Sequence, residues 1–198
     1  MPLDTLRLIW NNPANVGHRM ALSSRWLTWN IWRRISRVPK TLPYFGYDLI
    51  AYPDCSVSCL IAYSHGGLYD YDYMNFFIRF IDSEDVVLDV GANIGAYTLL
   101  FARYAYRGEV VGFEPEPTTF ARLSENVGRN RLEGRVQLVN KAVGEEEGSL
   151  RFSIGDKSST HHVALDRDNP TEKKWRYYAP RCPMKLHCKV LIGVILSR

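Results

Sequence analysis

At 198 residues, 46% hydrophobic and 13% aromatic, the chain can bury the core of one globular domain with appendages, and no low-complexity tract or internal repeat competes with that reading. Its net charge of +4 hides an asymmetry: residues 1–42 and residues 171–198 each hold seven Lys/Arg against one acid, so the middle of the chain is acidic. The longest apolar run near the C-terminus, Val190 to Leu196, is far short of a membrane span. The N-terminus has Asp4 and no apolar leader core, so the expected compartment is the cytoplasm. Cys55, Cys59, Cys182 and Cys188 form no CxxC pair, which argues against a disulfide framework and a zinc site, and no metal is expected. Basic ends without an aromatic-basic RNA motif also argue against nucleic acid as the partner.

In chain order, residues 1–42 are expected to form a helical N-terminal extension. Trp26, Trp29 and Trp32 recur at three-residue spacing among Arg25, Arg33, Arg34 and Arg37, as on an amphipathic helix. Packing of that indole stripe is the favoured reading, and peripheral membrane contact through the three tryptophans is the alternative. The Pro39 to Pro43 region ends the segment. Tyr47 to Tyr52 and Val57 to Tyr63 read as short strands parted by Pro53-Asp54. Gly66-Gly67 then breaks the chain before an apolar helical stripe of Tyr73, Phe76, Phe77, Phe80 and Ile81, expected to cover one face of the following sheet.

The clearest pattern follows. Val86 to Val90 is a continuous apolar run, as expected of a strand covered on both faces. Tyr97, Leu100, Phe101 and Tyr104 mark a helix, and Glu109 to Phe113 a second strand. Phe120, Leu123 and Val127 mark a second helix, and Val136 to Val139 a third strand. This is β-α-β-α-β, the half-unit of a Rossmann-like open parallel sheet. Ser149 to Ile154 is a candidate further strand. The implied domains are 1–42, an extension; 43–170, a Rossmann-like domain; and 171–198, an atypical basic and apolar tail.

Between the first strand and its helix lies the corner GANIG, Gly91 to Gly95, and Glu114 stands at the end of the next strand, 23 residues after Gly91. Ligands of such sheets sit beyond the carboxyl ends of the strands, where a carboxylate so placed can accept hydrogen bonds from ribose hydroxyls. Asp89 and Asn93 either hold the loop or meet polar ligand groups. The dinucleotide fingerprint GxGxxG wants a bare second glycine, whereas Asn93 occupies that place, so S-adenosyl-L-methionine is favoured over a nicotinamide dinucleotide. Asp89 and Asn93 as turn residues, and Glu114-Pro115 as a solvated strand end, are the plain structural alternatives.

The stretches VVLDVGANIGAYTLLFARYA, GEVVGFEPEPTTFARLSENVGRN and VQLVNKAVGEEEGSLRF, within about Gly66 to Ile154, resemble the FkbM family of S-adenosylmethionine-dependent methyltransferases. The resemblance implies the class I fold and O-methylation of a small-molecule hydroxyl on a sugar, glycolipid or natural product. It also implies a cofactor site lined by Asp89, Gly91, Ala92, Asn93, Gly95, Glu114, Pro115 and Asn140, with Asn140 near the adenine. For Asn140 a turn role is the even alternative. His161 and His162 are adjacent in a loop-like neighbourhood, and no catalytic base is assigned. Members of the family continue into a KxDVEG-like strand that this chain lacks, so an incomplete C-terminal half is expected. That would leave Val86 to Val90 as an open, aggregation-prone edge, with weak cofactor binding and doubtful activity. An inactive fragment or docking module is therefore the alternative function, and an oxidoreductase the third.

Overall fold

The computed structural model describes residues 2–143, 148–153, 162–163, 172–178 and 188–189. The chain divides into two compact units, residues 1–80 and residues 81–198.

The first unit opens with helices α1 (Pro2–Asn11) and α2 (Arg19–Ile35), joined through a 3-10 turn at Pro13–Asn15. The helical reading of this segment holds, and of the three tryptophans Trp29 is buried while Trp26 and Trp32 are half-buried. Strands β1 (Lys40–Tyr44) and β2 (Tyr47–Ala51) form an antiparallel hairpin closed at Tyr44 and Tyr47. Its two-residue turn, Phe45-Gly46, has both φ angles positive, the geometry that matches strand twist in tight hairpins. β1 was not expected because Pro39 and Pro43 read as breakers. In a two-stranded ribbon every strand is an edge, where proline is tolerated.

Val57 to Tyr63 is not a strand: Ser56–Ala62 forms helix α3. Its buried residues are Ser58, Cys59, Ile61 and Ala62, and with buried Cys55 at its N-cap, Ser58, Cys59 and Ala62 make an i, i+3, i+4, i+7 stripe disguised by the polar Ser58. The Ser58 hydroxyl is committed, accepting the backbone N–H of Tyr52 at 2.9 Å. Cys55 and Cys59 are free and buried. Helix α4 (Tyr71–Phe80) forms where expected, but its buried side is Met74 and Phe77, followed by Ile81, whereas Tyr73, Phe76 and Phe80 stay exposed. The first unit runs on to Phe80, beyond the 1–42 extension expected from the sequence. Within it, polar ties join the N-terminal helices to the 65–68 segment: Asn12 Nδ2 donates to Leu68 O at 2.7 Å and Asn15 Oδ1 accepts the His65 N–H at 2.8 Å.

The second unit holds the three expected strands, β3 (Val86–Val90), β4 (Glu109–Phe113) and β5 (Val136–Val139), parallel and in register Val86↔Glu109 and Val110↔Val136. Helices α5 (Ala96–Tyr104) and α6 (Pro117–Arg129) are the crossovers. β3 alternates in burial rather than lying buried throughout, with Val87 and Asp89 covered and Val86, Leu88 and Val90 half-buried. Leu99, Leu100, Phe101, Val110, Leu123 and Val127 make the core of this side.

Beyond β5 the backbone continues as β6 (Ala142–Val143), β7 (Gly148–Ser153), β8 (His162–Val163) and β9 (Glu172–Tyr178), in a second sheet ordered β6-β9-β7-β8. β7 is the strand anticipated at Ser149. The tail also behaves differently from expectation. Glu172–Tyr178 pairs antiparallel with β7, and β10 (Cys188–Lys189) pairs parallel with Val86 and Val87 on the side of β3 away from β4. The β3 edge is thus occupied over its first two residues, because the tail supplies backbone donors and acceptors where the sequence suggested an open edge. His161, Cys182 and Val190 to Leu196 lie outside the described residues.

Candidate functional site

The principal sheet has the order β10-β3-β4-β5. The chain steps away from β3 in one direction through β4 and β5, and β10 lies on the other side, so strand order reverses at β3. The crevice beyond the carboxyl end of such a strand is the usual ligand site of an open α/β sheet. Gly91 to Gly95 occupies that crevice.

The corner is built from alternating left-handed residues: Gly91 has φ 79°, Asn93 φ 51° and Gly95 φ 94°. Glycine takes this region without a steric penalty, and asparagine is among the few other residues that visit it routinely. Asn93 supports its own strained position, since its Oδ1 accepts the Ile94 N–H at 2.9 Å. At Gly95 a side chain would also meet Leu123, whose Cδ1 lies 2.8 Å from where a Cβ would stand. The corner therefore sits tightly against α6, and Asn126 of that helix donates to Ile94 O at 2.8 Å.

Glu114 is the centre of the arrangement. Although charged in type, it is only 5% exposed, and its two carboxylate oxygens accept the backbone N–H of Asn93 at 2.9 Å and of Glu116 at 3.0 Å. One side chain thus joins the β3–α5 corner to the β4–α6 corner. The reading of Glu114-Pro115 as a solvated strand end does not hold. Asn140 completes the join from β5, its Nδ2 donating to Glu114 O at 2.8 Å and Pro115 O at 3.2 Å. Glu116 accepts the N–H groups of Thr118 and Thr119 and so starts α6, with Pro117 at its first position.

Asp89 faces inward. It is 1% exposed and accepts the Thr98 hydroxyl of α5 at 2.5 Å, tying the strand end to the helix. Ala92 is buried, and Gly91 and Pro115 are half-buried. Burial shapes the ionisation of both acids. It pushes Asp89 up to about 6 against the hydrogen bonds from Thr98. It pushes Glu114 up to about 7 against those from Glu116 and Asn93, with the neighbouring Glu116 and Asp89 charges adding to the rise. In Glu116 burial is outweighed by the hydrogen bonds from Thr119 and Thr118, and its carboxyl falls below the usual range. Two neighbouring buried carboxyls with raised pKa values are a recurrent, though not exclusive, mark of functional sites.

The backbone decides which ligand fits. Gly91 and Ala92 N–H both donate to Phe113 O at 2.9 Å, Asn93 N–H to Glu114, Ile94 N–H to Asn93 Oδ1, and Gly95 N–H to Ala92 O at 2.8 Å. All five donors of the corner are consumed internally. A dinucleotide loop works by aiming such donors at a pyrophosphate, and this corner has none to spare. What it offers is carbonyl oxygen, an acceptor suited to an ammonium, beside a carboxylate with lone pairs left for hydroxyls. S-adenosylmethionine presents an ammonium and ribose hydroxyls and carries no phosphate, so the residues present fit it.

The sequence singled out the corner and Glu114 but missed Thr98, Glu116 and Asn126, which orient them. The Glu116-Pro117-Thr118 run was a readable helix start. Thr98 and Asn126 gave no signal, since each lies on a helix face that only the folded packing defines.

Residues 68–162 match the TRM5/TYW2 methyltransferase domain family. The chain is 47% identical over 71 residues to the 31-O-demethyl-FK506 methyltransferase FkbM of Streptomyces tacrolimicus, covering 35% of this chain and 26% of that protein. It is 30% identical over 97 residues to the hexuronic acid methyltransferase AglP of Haloferax volcanii, covering 48% and 38%. Among solved structures, P. horikoshii TYW2 in complex with MeSAdo aligns with TM-score 0.43 and 21% identity over 54% of this chain and 37% of that one. The chain thus spans well under half the length of these relatives. Through the corner, the buried carboxylate and the sequence matches, this part of the chain is similar to S-adenosylmethionine-dependent methyltransferases.

Proposed function

We propose that this chain binds S-adenosylmethionine at the Gly91–Gly95 corner and transfers its methyl group to a hydroxyl oxygen of a small molecule, a sugar, glycolipid or natural-product scaffold. The observation that carries the reading is the Glu114 carboxylate, buried at the end of β4 and bonded to the backbone of the neighbouring corner at Asn93. It leaves acceptor capacity beside a loop whose own N–H groups are spent. The named relatives support the oxygen acceptor, one being by name an O-demethyl-compound methyltransferase and the other a hexuronic acid methyltransferase. The acidic centre of the chain argues for a small acceptor over a nucleic acid, whose affinity rests largely on phosphate neutralisation by Lys and Arg.

The bound cofactor supplies a methyl group already activated on a sulfonium. The chain's residues hold and align. Glu114 accepts the ribose hydroxyls, corner carbonyls accept the ammonium, and Asn140 fixes the Glu114–Pro115 backbone on the adenine side. Asp89, through Thr98, keeps the corner rigid. Alignment of this kind is the main catalytic requirement, since a small misplacement of reacting atoms can cost about a hundredfold.

The test is calorimetry of the full chain with S-adenosylmethionine, its demethylated product and a nicotinamide dinucleotide, followed by methyl transfer to a panel of hydroxylated acceptors that includes hexuronic acids. Binding of the first two ligands only, with transfer to one acceptor class, is the expected outcome. Binding of the dinucleotide alone would replace this reading by an oxidoreductase. Cofactor binding without transfer to any acceptor would favour the inactive-fragment alternative.

A further inference from the structure

The N-terminal helices carry a surface that the cofactor reading does not use. Between Asp4 and Asp48 there is no acidic residue, while Arg7, Arg19, Arg25, Arg33, Arg34, Arg37 and Lys40 all fall in that stretch. In α2 the indoles turn inward. Trp29 is 6% exposed, its Nε1 donating to the Cys59 sulfur at 3.3 Å, and Lys40 stands over the Trp32 ring at 4.2 Å. The opposite face is aliphatic. Met20, Leu27, Ile31 and Ile35 are between 49% and 79% exposed, and Val38 follows at 68%. At the helical step of about 100° per residue, those four α2 side chains fall within an arc of about 80°, one stripe along the helix.

We propose that this stripe docks on an anionic lipid surface, with α2 lying in the interface plane, its aliphatic side chains among the acyl chains and Arg34 and Arg37 at the headgroups, while Arg33 stays with the Cys59 sulfur at 3.0 Å on the inward face. An apolar face bordered by arginine, here Arg34 beside Leu27 with Arg37 just beyond the helix, is the composition of interfacial helices. The charge selects among occupants. A second copy would oppose two acid-free basic faces across a two-fold axis, which like-charge repulsion disfavours. A nucleic acid would use the arginines but gains nothing from four exposed aliphatics. An anionic bilayer satisfies both features. The anchoring side chains are then Met20, Leu27, Ile31 and Ile35, and not Trp26, Trp29 and Trp32, which the folded helix turns away.

The experiment is co-sedimentation of the full chain with phosphatidylcholine vesicles with and without phosphatidylserine, at low and high salt. The parent is expected to bind the anionic vesicles, to bind neutral ones weakly, and to lose binding as salt screens the arginines. Leu27→Gln/Ile31→Gln and Arg34→Gln/Arg37→Gln should each weaken binding at least about tenfold. Because all four positions are exposed, parent-like circular dichroism is expected and certifies the fold of each variant. Failure of the parent to bind, unchanged vesicle affinity in the Leu27/Ile31 variant, or equal affinity for neutral vesicles would overturn the proposal. A concentration-dependent dimer dispersed by Leu27→Gln/Ile31→Gln, without vesicle binding, would assign the stripe to a second copy. Competition by RNA with no effect of that variant would assign the arginines to nucleic acid.

Discussion

Among the described residues, each compact unit has a buried polar network that staples loops, Asn15 in the first and Glu114 with Asp89 in the second, and the two are made of different chemistry. In the first unit Asn15, 1% exposed, accepts the His65 N–H and donates to Ile9 O at 2.9 Å. In the second unit Glu114 bridges Asn93 and Glu116, and Asp89 grips Thr98. A neutral amide satisfies two backbone groups without burying a charge, and Asn126 shows that the second unit also uses amides where stapling suffices. Two carboxyls pushed toward neutrality are a cost that stapling alone does not require. The second unit also staples with a carboxylate outside the corner, Asp85 accepting the Asp82 N–H at 2.7 Å, so the ligand role proposed for Glu114 is decided by binding measurements.

The sharpest way to break this comparison is Glu114→Gln. The amide offers one acceptor and one donor to two N–H donors, so it sets a donor against a donor at Asn93 or Glu116 and removes the charged acceptor proposed for ribose. Adenosyl-ligand affinity is expected to fall by about 1–3 kcal/mol in calorimetry. If affinity were unchanged in a folded variant, Glu114 would be a staple of the same kind as Asn15.

The converse change is Asn15→Ala. It leaves the His65 N–H and Ile9 O without their partner and is expected to destabilise the fold by about 1–3 kcal/mol in denaturant melts. Adenosyl-ligand affinity at matched folded fraction should stay at the parent value. A loss of affinity there would mean that the first unit takes part in the cofactor site.

How legible these regions were follows from how local their determinants are. Three of the four strands of the principal sheet, β3, β4 and β5, were readable residue for residue, because Val-rich runs end at Gly91, at Glu114 and at Asn140. GANIG showed itself because left-handed backbone restricts residue type. The first unit was misread where long-range ties override local pattern: α3 hid behind Ser58, whose hydroxyl serves Tyr52, and β1 behind prolines that an edge ribbon accepts. The direction of the tryptophans was invisible for the same reason. Both faces of α2 are apolar, and only Cys59 and its neighbours decide which one is buried. Thr98 and Asn126 belong to this class as well.

Gly95→Ala probes the corner without touching a charge. At φ 94° any side chain is strained, and the new Cβ would stand 2.8 Å from buried Leu123. A destabilisation of about 1–3 kcal/mol is expected from the backbone alone. Adenosyl-ligand affinity should fall with it if the ligand sits on the corner as proposed. Gly95→Ala with Leu123→Ala would relieve the contact and not the φ strain, so a fully rescued double variant would show that packing rather than backbone conformation selects glycine.

The effect of pH separates the two networks without mutation. Glu114 rises from 4.5 to about 7 and Asp89 from 3.8 to about 6 in the folded chain, so between these limits the folded state holds protons that the unfolded state has released. A raised acid stabilises fully below its unfolded value and loses that contribution as pH climbs through its folded value. Stability of the second unit is therefore expected to decline from about pH 4 to about pH 7, and the decline should flatten in Glu114→Gln and persist in Asn15→Ala. Ligand affinity should move the opposite way. A hydroxyl donating to Glu114 needs the ionised form, so adenosyl-ligand affinity is expected to fall about tenfold from pH 8 to pH 6, one proton being displaced for each ligand bound well below pH 7. Calorimetry in buffers of different ionisation enthalpy reads that proton directly. A pH-independent affinity with no proton released would show that the ligand leaves Glu114 protonated and bonded only to its own backbone.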